Sequence, residues 1–199
     1  MILSRPDILE YIARGKLKIQ PPIPEKSIKQ VSVDLRLGRK FIVFKEPPHY
    51  LPAIYVDPSL WESADLWQHY EQDQFRLNPG QFVLAQTLER IRIPNDLAGF
   101  VEGRSSWARV GVTIHMTAPK IDPGFDAHIT LEMANFGRVP VDLRAELDQP
   151  AQLMLIRLST PLADSELYGT GERDTFQGQT EPIPRRRSAR LKPKQRPGP

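Results

Sequence analysis

The sequence predicts a mainly β protein, a sandwich or barrel of short strands with one N-terminal helix and a flexible C-terminal segment. Three observations lead there: a single well-signalled helix at the start, short apolar segments recurring between proline and glycine turns, and a closing stretch nearly devoid of apolar residues. The 199 residues suit one domain over residues 1–183 followed by a tail at 184–199.

The helix opens at Ser4, a capping residue with Asp7 three positions on. Ile8, Leu9 and Ile12 form its apolar stripe, and Gly15 ends it. Pro21, Pro22 and Pro24 then break the chain. Strands are expected at 31–37, 40–44, 81–87, 90–93, 99–102, 112–117, 128–134, 139–143 and 152–158. Between them, residues 57–73, with Trp61, Leu66, Trp67 and Tyr70, read as a helical or irregular insertion. Alternation assigns faces. Ile129, Leu131 and Met133 share one side of their strand and His128, Thr130 and Glu132 the other, which puts Glu132 opposite the core. In the same way Val112, Ile114 and Met116 alternate with Thr113, His115 and Thr117.

Lysine and arginine number 27 against 24 acidic residues, for a net charge of +3. Seven of those bases lie beyond Pro184 with no acid among them, so residues 1–184 carry −4. An acidic body argues against a general nucleic-acid binder, and no specific nucleic-acid partner is expected. The tail lacks the apolar side chains that offset ordering entropy and is expected to be disordered. Cysteine is absent, which excludes disulfides and thiolate metal sites. No apolar run reaches the roughly 18 residues of a membrane span, and the N-terminus has no leader pattern. A soluble, cytoplasmic protein without a membrane partner is expected.

Gly103-Arg104-Ser105-Ser106-Trp107-Ala108-Arg109 puts two guanidiniums and two hydroxyls on a glycine-led turn. Arginine offers fixed forks of donors to phosphate oxygens, serine adds hydroxyls, and glycine admits close backbone approach, so the turn suits a polyphosphate. Two carboxylates follow, Asp122 in Asp122-Pro123-Gly124-Phe125 and Glu132 in Ile129-Thr130-Leu131-Glu132. From the residues alone, a solvated turn and an inert strand glutamate compete with this functional reading.

The same segments, with His115-Met116-Thr117-Ala118 between them, resemble the successive motifs of the dCTP deaminases, members of the trimeric dUTPase superfamily. The likeness extends to Ser32-Val33-Asp34-Leu35-Arg36-Leu37-Gly38, to Leu77-Asn78-Pro79-Gly80-Gln81 with Thr87-Leu88-Glu89, and to Tyr168 and Phe176-Gln177-Gly178-Gln179 near the end. It implies a dUTPase-like distorted β-barrel or jelly roll. It also implies a homotrimer with active sites between subunits, and hydrolysis of dCTP to dUTP and ammonia. Arg104, Ser105, Ser106 and Arg109 would handle the triphosphate, Ser105 and Arg109 also organising the catalytic carboxylate and water. Ala118 with its neighbours Pro119 and Lys120 would present groups to the cytosine edge, Asp122 would hold the 3′-hydroxyl, and Glu132 would be the general base. Tyr168 and Gln179 would belong to a closing cover.

Nucleobase deaminases of the zinc type hold a metal-bound hydroxide with His and Cys ligands. This cysteine-free chain has no such set, and no zinc or protein-held metal is expected; Mg²⁺ would ride on the substrate triphosphate. Departures from the family pattern are Pro119-Lys120 for His-Arg, Trp107 for leucine, Ala127 for glycine, Thr175 for lysine, and a turn at 144–150 without Pro-Gly. The alternatives are a dUTP pyrophosphatase, alone or combined with deamination, in which Asp122 helps activate water at the α-phosphate, and a non-enzymatic nucleotide-binding regulator.

Overall fold

A computed structural model describes residues 1–45, 66–171 and 174–183. Helix α1 (Arg5–Ala13) starts as expected, with the Asp7 carboxylate accepting from both the Ser4 backbone N–H (3.0 Å) and the Ser4 hydroxyl (2.6 Å). These bonds hold the Asp7 carboxyl below its usual range. Ile8 and Tyr11 are its buried residues, while Leu9 and Ile12 pack partly covered beside them.

Twelve strands follow among the described residues: β1 (Lys18–Gln20), β2 (Ser32–Leu35), β3 (Lys40–Phe44), β4 (Trp67–Glu71), β5 (Gln74–Leu77), β6 (Phe82–Arg92), β7 (Leu97–Gly103), β8 (Val112–Thr113), β9 (Lys120–Ile121), β10 (Asp126–Asn135), β11 (Val141–Arg144) and β12 (Ala151–Arg157). They form a six-stranded sheet in the order β4-β3-β6-β10-β8 with β1 also on β6, a four-stranded sheet β2-β12-β7-β9, and the pair β11-β5. Every pairing is antiparallel. The mainly β expectation holds, as sheets around one large core, with a smaller apolar cluster at Ile42, Trp67 and Leu84, and not as a closed barrel. Phe41 and Phe75 stack in that core with ring centroids 4.7 Å apart.

Several expectations are corrected. Residues 81–87 and 90–93 belong to one strand, β6, because Glu89, the charged residue that breaks the apolar pattern, is wholly buried and paired with Arg36 (2.7 Å). Burial pushes the Glu89 carboxyl above its ordinary value, against the pull of Arg36. Opposite it the β10 register shifts between His128 and Thr130, and the Thr87 hydroxyl accepts the Ile129 N–H at 3.0 Å. Of the presumed insertion, residues 57–65 lie outside the described residues, and Trp67–Glu71 is strand β4. The segment 112–117 keeps only two residues in strand, and Met116 is 49% exposed. The turn after β11 passes through Glu146 at φ 64°, a left-handed conformation where glycine is usual. The basic tail lies outside the described residues. Among those described, no helix is long and apolar enough to cross a membrane.

Candidate active site

Strand β10 alternates as its pattern demands, with Ile129, Leu131 and Met133 buried and His128, Thr130 and Glu132 half-buried on the opposite face. That face looks into a cavity of about 290 Å³. Polar groups reach it from Lys120, Asp122, Thr130, Glu132, Tyr168 and Gln179, and Ala118 adds its edge. Apolar surface comes from Leu84, Val101, Ile121, Phe125, Ile129, Phe176 and Ile183. A mostly apolar slot with a few convergent polar groups is the usual form of a small-molecule site. Six of the sequence-predicted residues therefore meet in one chain: Ala118, Lys120, Asp122, Glu132, Tyr168 and Gln179.

Glu132 is oriented from the backbone. After β8 the chain leaves the sheet, the Thr113 hydroxyl donates to the His115 carbonyl (2.8 Å), and the Met116 N–H donates to Glu132 Oε2 (3.0 Å). Leaving the ladder is what frees that N–H for the carboxylate. One oxygen of Glu132 is thus fixed, and the other has no hydrogen-bond partner among the described residues. His115 Nε2 lies 3.1 Å from Glu102 Oε2 at the root of the same loop.

Lys120 and Asp122 form an ion pair (2.7 Å) at the cavity wall. Pro119 is not among the lining residues; its carbonyl accepts the Val101 N–H at 2.9 Å and so anchors the approach to β9. The chain between Asp122 and Phe125 turns at Gly124, with φ 88°. A Cβ there would sit 2.7 Å from Leu167 Cβ and 3.0 Å from Tyr168 N, so glycine both turns the chain and lets the closing segment approach.

That segment is docked over the cavity. The Tyr168 N–H donates to the Pro123 carbonyl (2.8 Å), and its hydroxyl accepts the Phe176 N–H (3.0 Å). Burial raises the Tyr168 phenol above its ordinary value, with Asp174 and Asp122 adding to the effect. Gln177 Nε2 donates to the Gly124 carbonyl (2.9 Å) while its Oε1 accepts the Asp126 N–H (3.0 Å). Gln179 Nε2 donates to the His128 carbonyl and to the Thr130 hydroxyl, both at 2.9 Å.

The other predicted residues stand apart. Ser105, Ser106 and Arg109 belong to or end the short helix α2 (Ser105–Ala108), are exposed, and do not line the cavity. Arg104 caps α2 and is tied inward: its Nη1 donates to the Gln149 carbonyl (3.0 Å) and its Nε lies 3.4 Å from Asp34 Oδ2. Sequence reasoning missed the Met116 N–H and the Gln177 contacts. A backbone donor leaves no trace in residue type, whereas Gln177 stood in the quoted closing motif without a role. Among the described residues no group of three or more His, Cys, Asp or Glu side chains is placed to hold a metal ion.

A β scaffold presenting an oriented carboxylate to a covered, mostly apolar cavity has the form of an enzyme site for a small molecule. Comparison with known proteins makes the class specific. The dCTP deaminase-like family profile matches residues 2–158, and the chain belongs to that family. It is 40% identical over 188 residues to a protein of Methanosphaera stadtmanae named dCTP deaminase, dUMP-forming, covering 91% of each chain. A protein of the same name from Dictyoglomus thermophilum is 42% identical over 172 residues, covering 84% of this chain and 86% of its own. Among solved structures, the 2′-deoxycytidine 5′-triphosphate deaminase of Agrobacterium tumefaciens superposes with a TM-score of 0.60 at 22% identity, over 83% of this chain and 50% of that one. That likeness shows the shared fold.

Proposed function

We propose that this chain hydrolytically deaminates dCTP and carries the product on to dUMP, releasing ammonia and pyrophosphate. The first part rests on one observation above all, the Glu132 carboxylate held by the Met116 N–H against a covered cavity in a dCTP deaminase-like chain. The second part revises the dUTP end product expected from motif resemblance. It is supported by the names of relatives 40–42% identical to this chain, which are dUMP-forming.

In this reading a water held by the free oxygen of Glu132 attacks C4 of cytosine. Its proton passes to the carboxylate and then to the departing amine, so that ammonia leaves and the carboxylate is restored. One positioned general acid–base contributes roughly 10²–10⁴-fold to the rate. The backbone bond that orients Glu132 adds preorganisation. Asp122 meets the 3′-hydroxyl once Lys120 yields it, and helps activate the second water, which attacks the α-phosphorus and expels pyrophosphate. Ala118 and Lys120 face the base edge, and Tyr168 and Gln179 keep bulk water out.

The triphosphate is bound by Arg104, Ser105, Ser106 and Arg109 of a neighbouring copy in a homotrimer. Two features support this: Ser105, Ser106 and Arg109 are exposed and do not line the cavity, and nearby Val110 and Phe136, whose N–H donates to the Gly111 carbonyl, leave 47% and 70% of their surfaces uncovered. Mg²⁺ rides on the triphosphate, where it needs few protein ligands. Zinc has no part, since the chain has no cysteine with which to build the thiolate centre of the zinc deaminases.

Separate incubations with dCTP and with dUTP, each with Mg²⁺, followed by separation of ammonia, dUTP, dUMP and pyrophosphate over time, test the proposal. Ammonia and pyrophosphate should rise together with dUMP. Accumulating dUTP would restrict the activity to deamination, and pyrophosphate from dUTP without any ammonia from dCTP would point to the pyrophosphatase alternative.

A further inference from the structure

We infer that Asp34 is a positioning residue for the phosphate clamp, acting through Arg104. The inference rests on the reading of Arg104 as part of that clamp. Asp34 lies in β2 and is 2% exposed. Its Oδ2 has no hydrogen-bond partner among the described residues, yet it sits 3.4 Å from Arg104 Nε and 3.6 Å from Lys29 Nζ. A buried carboxylate satisfied so sparsely is costly to keep for stability alone.

The surroundings show what it controls. Arg104 is held from two directions, by Asp34 at Nε and by the Gln149 carbonyl at Nη1, which leaves Nη2 as the guanidinium nitrogen for a ligand. The backbone beneath is braced as well. The Arg104 N–H donates to the Pro150 carbonyl (3.0 Å), Gln152 Nε2 donates to the Gly103 carbonyl (3.0 Å), and the Ser32 hydroxyl donates to Gln152 Oε1 (3.3 Å). Register brings these groups together, since Gln152 pairs with Asp34 on one side and with Glu102 on the other. Arg109, by contrast, has no side-chain partner among the described residues. A guanidinium whose fork is already aimed loses less freedom on meeting a phosphate, so Asp34 raises affinity without touching the ligand.

The test uses the whole chain with Asp34→Asn, titrated calorimetrically with dCTP, with dCMP and with inorganic tripolyphosphate, each with Mg²⁺. The dCTP and tripolyphosphate dissociation constants should rise about tenfold while that of dCMP stays within about twofold. KM should rise with them and kcat fall by less than about threefold. In an Arg104→Ala background the same change should add nothing. Unchanged dCTP affinity, equal weakening of dCMP, or additivity with Arg104→Ala would each overturn the inference. If Asp34→Asn does not fold, Arg104→Lys decides: it keeps the charge but loses the aimed fork, so wild-type dCTP affinity in that variant would also overturn it. A wild-type protein that binds neither dCTP nor tripolyphosphate would instead refute the functional reading on which the inference stands.

Discussion

The cavity beneath the closing segment and the turn at 104–109 carry comparably polar side chains, yet one is wrapped by its own chain and the other stands in solvent. In the cavity, each polar group is aimed by neighbours: Glu132 by Met116, Asp122 by Lys120, Tyr168 by Phe176 and Pro123. On the turn only Arg104 is anchored, while Ser105, Ser106 and Arg109 face outward. The difference teaches that one stretch of chain is finished by its own fold while the other is left open, which is what the proposed site between copies requires.

The sharpest way to break this contrast is Glu132→Gln, which keeps the shape of the side chain but cannot take a proton. Ammonia release should fall by about 10²–10⁴-fold with nucleotide binding retained, and undiminished turnover would remove Glu132 from its role. Next, Arg109→Ala should weaken dCTP by about 10–100-fold and leave dCMP nearly unaffected. Mixing and reassembling the two variants at dCTP too dilute to occupy the Arg109→Ala site should then raise activity above that of either alone, because some mixed sites pair an intact carboxylate with an intact turn; no gain would place both halves in one protomer. Gly124→Ala should raise KM about tenfold by pushing the closing segment off the pocket rim, seen as faster proteolysis near residue 168. Glu146→Gly should leave activity alone and stabilise the fold by about 1 kcal/mol in urea unfolding, since it relieves a left-handed residue.

A pH prediction concerns the cover. The Tyr168 phenol is raised above 10.0 in the docked state, so docking is fully supported below pH 10.0 and is lost as pH rises through the higher folded value. Absorbance titration should show two late-ionising tyrosines, Tyr11, raised by burial and its bond to Asp96, and Tyr168, and Tyr168→Phe should remove one of them.

Strands whose two faces meet core and solvent were readable from alternation, and β3 was expected over the very residues it occupies. Strands β4 and β5 were missed because Gln68, His69, Glu71, Gln74 and Arg76 face outward and leave too few apolar residues to set a period. The break read into β6 came from Glu89, whose burial depends on Arg36, a residue 53 positions away. In the site, the face a strand residue takes was legible, and the partners that aim it were not. Glu132 could be placed on its face, but nothing in residue types reveals that Met116 aims it, or that Pro119 serves β7 through its carbonyl instead of the pocket. Asp34 read as part of an apolar strand; only its register opposite Gln152 brings it under Arg104.

The cover grips mainly the main chain: Gln177 holds Gly124 and Asp126 by their peptide groups, and Gln179 reaches the His128 carbonyl, with the Thr130 hydroxyl as the one side-chain anchor. Peptide groups are the same whatever amino acid carries them. The fastening therefore depends little on the side chains of β10, so substitutions at His128 or Asp126 should leave the segment docked.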